Sequence, residues 1–325
     1  MQLRDLVYGP PRVVDPKAGL TQKPRPEKRD LWFHAQSILL LAGIPTITFA
    51  VISSTFAFVI VTLPAFAWIV LFAAVALVLF FIYVNYASTA RRPLYMYLAI
   101  LTLLATACGV VAGLWVYEGD SRQYFCATQG VPYTDVSAAA DSEYYEDAAT
   151  IEFDSFAHVD SDRGMGRTAL DGHVYCVAPV LAVNSMSHAS FWAVGLDCCE
   201  TLSEFFCGDV EDVSAKTGVA VPRAKHTLQM RTSMYDEFNK TIQQAAAAYR
   251  MSAPSDPMVL YWLTDVKNAK LGFLKDTLTS LVHWWQAYSL IAICLALLLH
   301  LGTRTSSTPS WASSTFSEAK YGAVR

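Results

Sequence analysis

Five of the seven cysteines of this 325-residue chain fall in one segment: Cys126, Cys176, Cys198, Cys199 and Cys207. In an oxidising compartment thiols gathered in this way pair. Five is odd, so at most two bridges form and one thiol remains. Cys198 and Cys199 are adjacent, and a ring closed between neighbours is strained. They should reach different partners and tie two chain segments to one point. A bridge across a long loop contributes about 2–4 kcal/mol. A bridge to Cys126 would tie this module to the face of the membrane. The spare thiol is either an inter-chain bridge or a buried free cysteine. Cys108 and Cys294 sit in long apolar runs, where cysteine acts as a small apolar filler.

Other residues could carry chemistry. Asp154, Asp160, Asp162 and Asp171 are clustered carboxylates, and Asp160-Ser161-Asp162-Arg163-Gly164 is similar to the start of a calcium loop. The later ligands of such a loop are missing. A solvated acidic face is the expectation, with a divalent cation on Asp154, Asp160 and Asp162 as the sharper alternative. His158, His173 and His188 are not spaced for a shared metal. Asn239-Lys240-Thr241 is a sequon for glycan attachment. No nucleophile elbow, zinc-protease, phosphate-loop or dinucleotide pattern occurs, so no catalysis and no cofactor are expected.

The elements that position these residues are membrane helices. Residues 31–90 contain no Asp, Glu, Lys or Arg. One crossing needs about 20 residues, so this run makes two. The spans read as 36–59 and 64–86, broken at Thr62-Leu63-Pro64, with Pro45 kinking the first. A third span covers 94–117 and a fourth 281–301. None has an ionisable residue near its middle, which argues against an ion pathway. Ser53, Ser54 and Thr55 form a polar cluster in the first span. In the third, Ala105, Gly109 and Gly113 place a small residue at every fourth position, a pattern that lets helices approach closely. It serves either packing inside the bundle or dimerisation.

Charge sets the expected orientation. Residues 1–30 hold seven Lys/Arg against four Asp/Glu, whereas 118–280 holds twelve against 23. Arg91, Arg92, Arg304, Lys320 and Arg325 would lie on the same side as the N-terminal tail, and basic flanks face the cytosol. Both termini are therefore expected in the cytosol, with 1–35 a disordered tail and 302–325 a second tail. Trp32, Tyr83, Tyr86, Tyr95 and Tyr97 would form the inner aromatic belt. Trp115, Tyr117, Trp284, Trp285 and Tyr288 would form the outer one. No basic cluster on a foldable segment suggests nucleic acid.

The expected fold class is thus a membrane protein: a four-transmembrane-helix bundle with an α+β extracytoplasmic domain at 118–280, between helices 3 and 4. The domain divides by composition. Residues 118–212 are acidic and β-rich, with strands expected over 149–157, 173–183 and 188–196. Residues 213–280 read as helical, with one helix over 225–250 and an amphipathic run over 258–275 leading into the last span.

This layout resembles that of tetraspanins, and Cys198-Cys199 resembles their paired-cysteine motif. Glu200, where that family has glycine, and the β-rich half depart from the pattern. Tyr175-Cys176-Val177-Ala178-Pro179, Phe191-Trp192-Ala193-Val194-Gly195 and Asp197-Cys198-Cys199 are similar to segments of uncharacterised multi-pass membrane proteins of single-celled algae and related protists. That resemblance covers about 120–300 and implies the same layout.

The function expected is that of an integral membrane interaction or organising protein. It would present a disulfide-stapled acidic domain and associate laterally through small-residue helix faces. Its partners would be the lipid bilayer, other membrane proteins or a second copy. The host would be the plasma membrane or a secretory or endosomal membrane. The alternatives are an oligomeric channel or carrier lined by the Ser53–Thr55 cluster, and a membrane-surface enzyme using the acidic cluster or the spare thiol.

Overall fold

The structure is a computed structural model, and it describes residues 28–87, 93–183, 187–201, 203–223 and 233–305. The tails at 1–27 and 306–325, Arg91 and Arg92, and the 225–232 part of the expected helix lie outside these residues.

Four helices are long and apolar enough to cross a membrane. Helix α1 (Lys28–Ser54) runs on through a π-helical stretch at Thr55–Val59 and a closing turn at Ile60–Thr62. Its start at Lys28 lies inside the stretch read from sequence as a disordered tail. Leu63 breaks the helix with φ -140°. Helix α2 (Pro64–Ala87) opens on Pro64, whose missing N–H would be unsatisfied there anyway. Helix α3 (Pro93–Val116) passes through a second π-helical stretch, Tyr117–Ser121, into α4 (Arg122–Gln129).

The packing order of the spans is α2, α3, α1, α6, where α6 is the last helix (Val266–Thr305). The central pair is α1 with α3; α2 leans on α3, and α6 leans on α1. Glycine makes the central contact close. A Cβ on Gly113 would stand 2.6 Å from the Ser53 carbonyl oxygen and 2.7 Å from Phe56 Cβ. Near Gly109 it would stand 3.1 Å from Ile52. Ala105 is fully buried. The small-residue stripe therefore packs against α1 of the same chain.

At 40 residues, α6 is about 60 Å long, roughly twice a hydrocarbon core. Lys267, Lys270, Lys275 and Asp276 occupy its first turns. That polar part packs beside α4, and the two helices lead into the sheet domain as a stalk. Asp265 starts α6 by accepting from the N–H groups of Lys267 (2.9 Å) and Asn268 (3.1 Å).

The stalk carries a mixed sheet of eight strands: β1 (Val131–Val136), β2 (Ala148–Phe153), β3 (Ala157–Val159), β4 (Met165–Thr168), β5 (Val174–Ala182), β6 (Phe191–Leu196), β7 (Thr217–Ala220) and β8 (Met258–Leu263). Their order is β1-β2-β7-β8-β6-β5-β3, with β4 also on β5. The outer edge of β5 is shared. Val174–Val177 pair with β4 and Val180–Ala182 with β3, and the change of partner falls near Pro179. Helix α5 (Met234–Tyr249) covers one face, burying Phe238 and Ile242 against Tyr175, Val177, Trp192 and Val194. The opposite face buries Cys176, Ala178, Phe191, Phe153, Phe205 and Trp262. With both faces covered, the strands need no polar alternation.

Two expectations are corrected. The sheet is not confined to 118–212, because β7 and β8 come from 213–280 and sit at its centre. Residues 258–275 are not one amphipathic helix. Met258–Leu263 is a strand paired to both β6 and β7, and the helix begins only at Val266.

Candidate functional site: a four-sulfur cluster

Cys176 sits in the middle of β5, on the face opposite α5, and is fully buried. Its neighbours across the sheet are both glycines, Gly195 on β6 and Gly166 on β4. A Cβ on Gly195 would stand 2.5 Å from Cys207 Cβ and 2.6 Å from the sulfurs of Cys198 and Cys207. On Gly166 it would stand 2.7 Å from the Cys199 sulfur. A glycine inside a strand marks close approach by another group. Here the approaching groups are disulfides: Cys176 is bonded to Cys199, and Cys198 to Cys207.

Asp197 directs the paired cysteines onto this face. Its φ of 56° places it in the left-handed region, which Asp tolerates better than most residues. Its backbone N–H donates to the Val174 carbonyl at 2.8 Å, and its Oδ1 accepts from the Val174 N–H at 2.8 Å. Its Oδ2 lies 2.7 Å from His173 Nδ1. The end of β6 is thus clamped to the start of β5 just before Cys198. The Val174 N–H, and then His173, hold the Asp197 carboxyl below its usual range. Farther along, Phe205 anchors the returning segment. Its N–H donates to the Ser161 carbonyl at 3.0 Å and its ring is fully buried.

Cys176 and Cys207 are buried, while Cys198 and Cys199 are half-buried. The sulfurs of Cys176, Cys198 and Cys207 lie within 4.8 Å of one another. Deprotonated, these three would offer the soft donors that zinc or copper(I) prefers. Oxidised to disulfides, they offer no thiolate and act as covalent ties.

Cys126, the fifth cysteine, is not bonded to another and lies half-buried on α4, against the same core. The tie between helix and sheet is polar instead. The Arg122 guanidinium donates to the Arg223 carbonyl, and the Gln123 amide donates to the Ala220 carbonyl at 3.0 Å. Arg223 in turn pairs with Glu146 and Asp256, each at 3.1 Å. Nearby, the Tyr235 hydroxyl donates to Asp256, with the Pro257 carbonyl 2.8 Å away as a second acceptor in reach; burial first, and then Asp256, push its pKa far up.

The remaining sequence candidates are dispersed. Asp154 accepts from the Phe156 N–H at 3.0 Å, and Asp160 pairs with Arg163 at 3.2 Å. Asp162 is exposed in a short 3-10 turn. Asn239 lies half-buried on α5. Its amide donates to the Ser255 carbonyl at 3.0 Å, and the sequon's Thr241 is fully buried. A glycan there would have to be added before the domain folds. Ser53 is fully buried and accepts from the Trp285 indole N–H at 3.0 Å. Ser54 and Thr55 donate to backbone carbonyls one turn earlier, at 2.5 and 2.7 Å.

From sequence Gly166 reads as a turn former, but it lies inside β4 opposite Cys176; the roles of Gly195 and Asp197 had no reading, although glycines inside β-rich segments were a usable signal. Sequence reading also missed a buried ionic group between sheet and α5, in which Glu237 is bonded by Arg167 and, at 2.7 Å, by Lys240. Nothing local in the sequence links Arg167 to Glu237.

Comparison with protein-family models, with curated proteins and with solved structures yields no match.

Proposed function

We propose that this chain is an integral membrane interaction or organising protein, without catalysis, whose sheet domain is its recognition surface. The domain faces the extracytoplasmic side, and both termini are cytosolic. One observation carries the reading: the domain is held on its helices by two continuous stalk segments and by the Arg122 and Gln123 bonds to the sheet. A domain held in this way keeps a fixed height and orientation over the bilayer, as a recognition surface requires. The bridges suit an oxidising compartment.

Lateral partners would meet the lipid-facing sides of α2 and α6, because the glycine stripe of α3 is occupied by α1. Exposed Phe66, Trp68, Ile69 and Phe72 on α2 form such a side. The test is the mass of the full-length protein in mild detergent by light scattering, together with crosslinking in intact membranes. Self-association or a defined hetero-complex in both supports the reading. A solitary monomer in both overturns it.

A further inference from the structure

We propose that the four sulfurs form one thiol–disulfide exchange unit, with Cys176 as its internal nucleophile. Two separate bridges would normally be independent ties. Here the Cys176 sulfur lies within 4.8 Å of both sulfurs of the other bridge, Cys198 and Cys207. Gly166 and Gly195 leave no side chain to separate them. Cys199 is bonded to Cys176 but does not belong to that mutual group.

The chemistry balances with an external dithiol as reductant. One thiolate of the dithiol attacks the sulfur of Cys199, a half-buried residue, whereas Cys176 is fully buried. An S–S bond forms to Cys199, the Cys176–Cys199 bond breaks, and the electron pair leaves on Cys176. The second thiolate of the dithiol then displaces Cys199, which takes up a proton, and the dithiol departs as a disulfide. Two electrons have entered the protein. The Cys176 thiolate, retained in the interior, attacks Cys198 or Cys207. Either attack forms a new bridge to Cys176, breaks the Cys198–Cys207 bond and releases the other sulfur as thiolate. Exchange by this route runs through attack of thiolate on disulfide, and proximity governs it. One reduction at Cys199 is thereby relayed to the bridge that ties Cys207 to Cys198.

The test uses the full-length protein in mild detergent, quenched with acid, alkylated and peptide-mapped, with fragmentation to separate Cys198 from Cys199. Cys199→Ser leaves Cys176 as a thiol beside an intact bridge. The expected result is alkylation shared among Cys176, Cys198 and Cys207, totalling one thiol from the three. Alkylation of Cys176 alone overturns the proposal. Cys176→Ala leaves the thiol on Cys199, and among Cys198, Cys199 and Cys207 only Cys199 should be labelled, alongside the cysteines that are free in the wild type. Labelling of Cys198 or Cys207 in that variant overturns the central place of Cys176. Wild-type protein given one equivalent of a dithiol decides the matter even where a variant fails to fold. Peptides linked Cys176–Cys198 or Cys176–Cys207 are expected. Recovery of only the two original linkages overturns the proposal.

Discussion

The indole N–H of Trp285 donates to the Ser53 hydroxyl at 3.0 Å, joining the last span to the first where Ser53 is fully buried. Below it, Phe49 and Tyr288 stack with ring centroids 4.1 Å apart. Within the polar cluster of the first span, Ser53 therefore binds helix to helix, while Ser54 and Thr55 are bonded within their own helix. Between membrane helices such a bond contributes about 1 kcal/mol. Trp285→Phe should destabilise the protein by that amount in a detergent unfolding titration. An unchanged midpoint would mean that the bond contributes nothing.

Gly113 tests the central helix pair. A methyl group there meets the Ser53 carbonyl oxygen at 2.6 Å, whereas one on Gly43 meets nothing within 4 Å. Overpacking of this kind costs about 1–3 kcal/mol. Gly113→Ala should lower stability by that amount, whereas Gly43→Ala, inside the same bundle but in open space, should leave it unchanged or raise it by up to about 1 kcal/mol, read as thermal midpoints. If Gly113→Ala instead dissociated an oligomer without destabilising the monomer, the stripe would be a lateral face after all.

The glycine beside the bridges makes a covalent prediction. Gly195→Ala puts a methyl 2.6 Å from two sulfurs and 2.5 Å from Cys207 Cβ. The Cys198–Cys207 linkage should form incompletely, with both thiols alkylated under non-reducing conditions. Full oxidation in this variant would show that the strand pair opens without penalty.

The ionic group at Glu237 gives the sheet domain an acid edge. Burial pushes the Glu237 carboxyl up, but Lys240 and Arg167 outweigh it and hold the net value below the ordinary 4.5. Because the folded value is depressed, its stabilisation is fully present above about pH 4.5 and is lost as pH falls through the folded value. Arg167→Ala should destabilise the domain by about 1–2 kcal/mol, since Glu237 loses one charged partner and keeps the exposed Lys240. Glu237→Gln should flatten the loss of stability below pH 4.5. Circular dichroism melts from pH 3 to 7 measure both, and an unchanged acid slope in Glu237→Gln would remove Glu237 as its cause.

The four long apolar helices were plain in the sequence, because a charge-free run such as Leu31–Ala90 has one physical solution in water and lipid. Strands β2, β5 and β6 were legible from Val, Ile and aromatic runs between turn formers. The others were hidden for separate reasons. In β1, Pro132 and Asp135 are poor strand residues, and in β4 Gly166 removes the side chain that would signal packing. The residues of β8, Met258-Val259-Leu260-Tyr261-Trp262-Leu263, are apolar throughout and run on toward α6, so period alone does not separate strand from helix. Only pairing with β6 and β7 makes them a strand. The partners of Cys198 and Cys199 were not legible, since connectivity depends on a register fixed by Cys176 opposite Gly195.

The account rests on the sheet domain lying across a bilayer from both chain ends. Epitope tags at each terminus and protease treatment of sealed membranes of one orientation test it directly. The account predicts that either the two tags or the sheet domain is cleaved, never all three together. Cleavage of the sheet domain and a terminal tag from the same side of an intact membrane would contradict it.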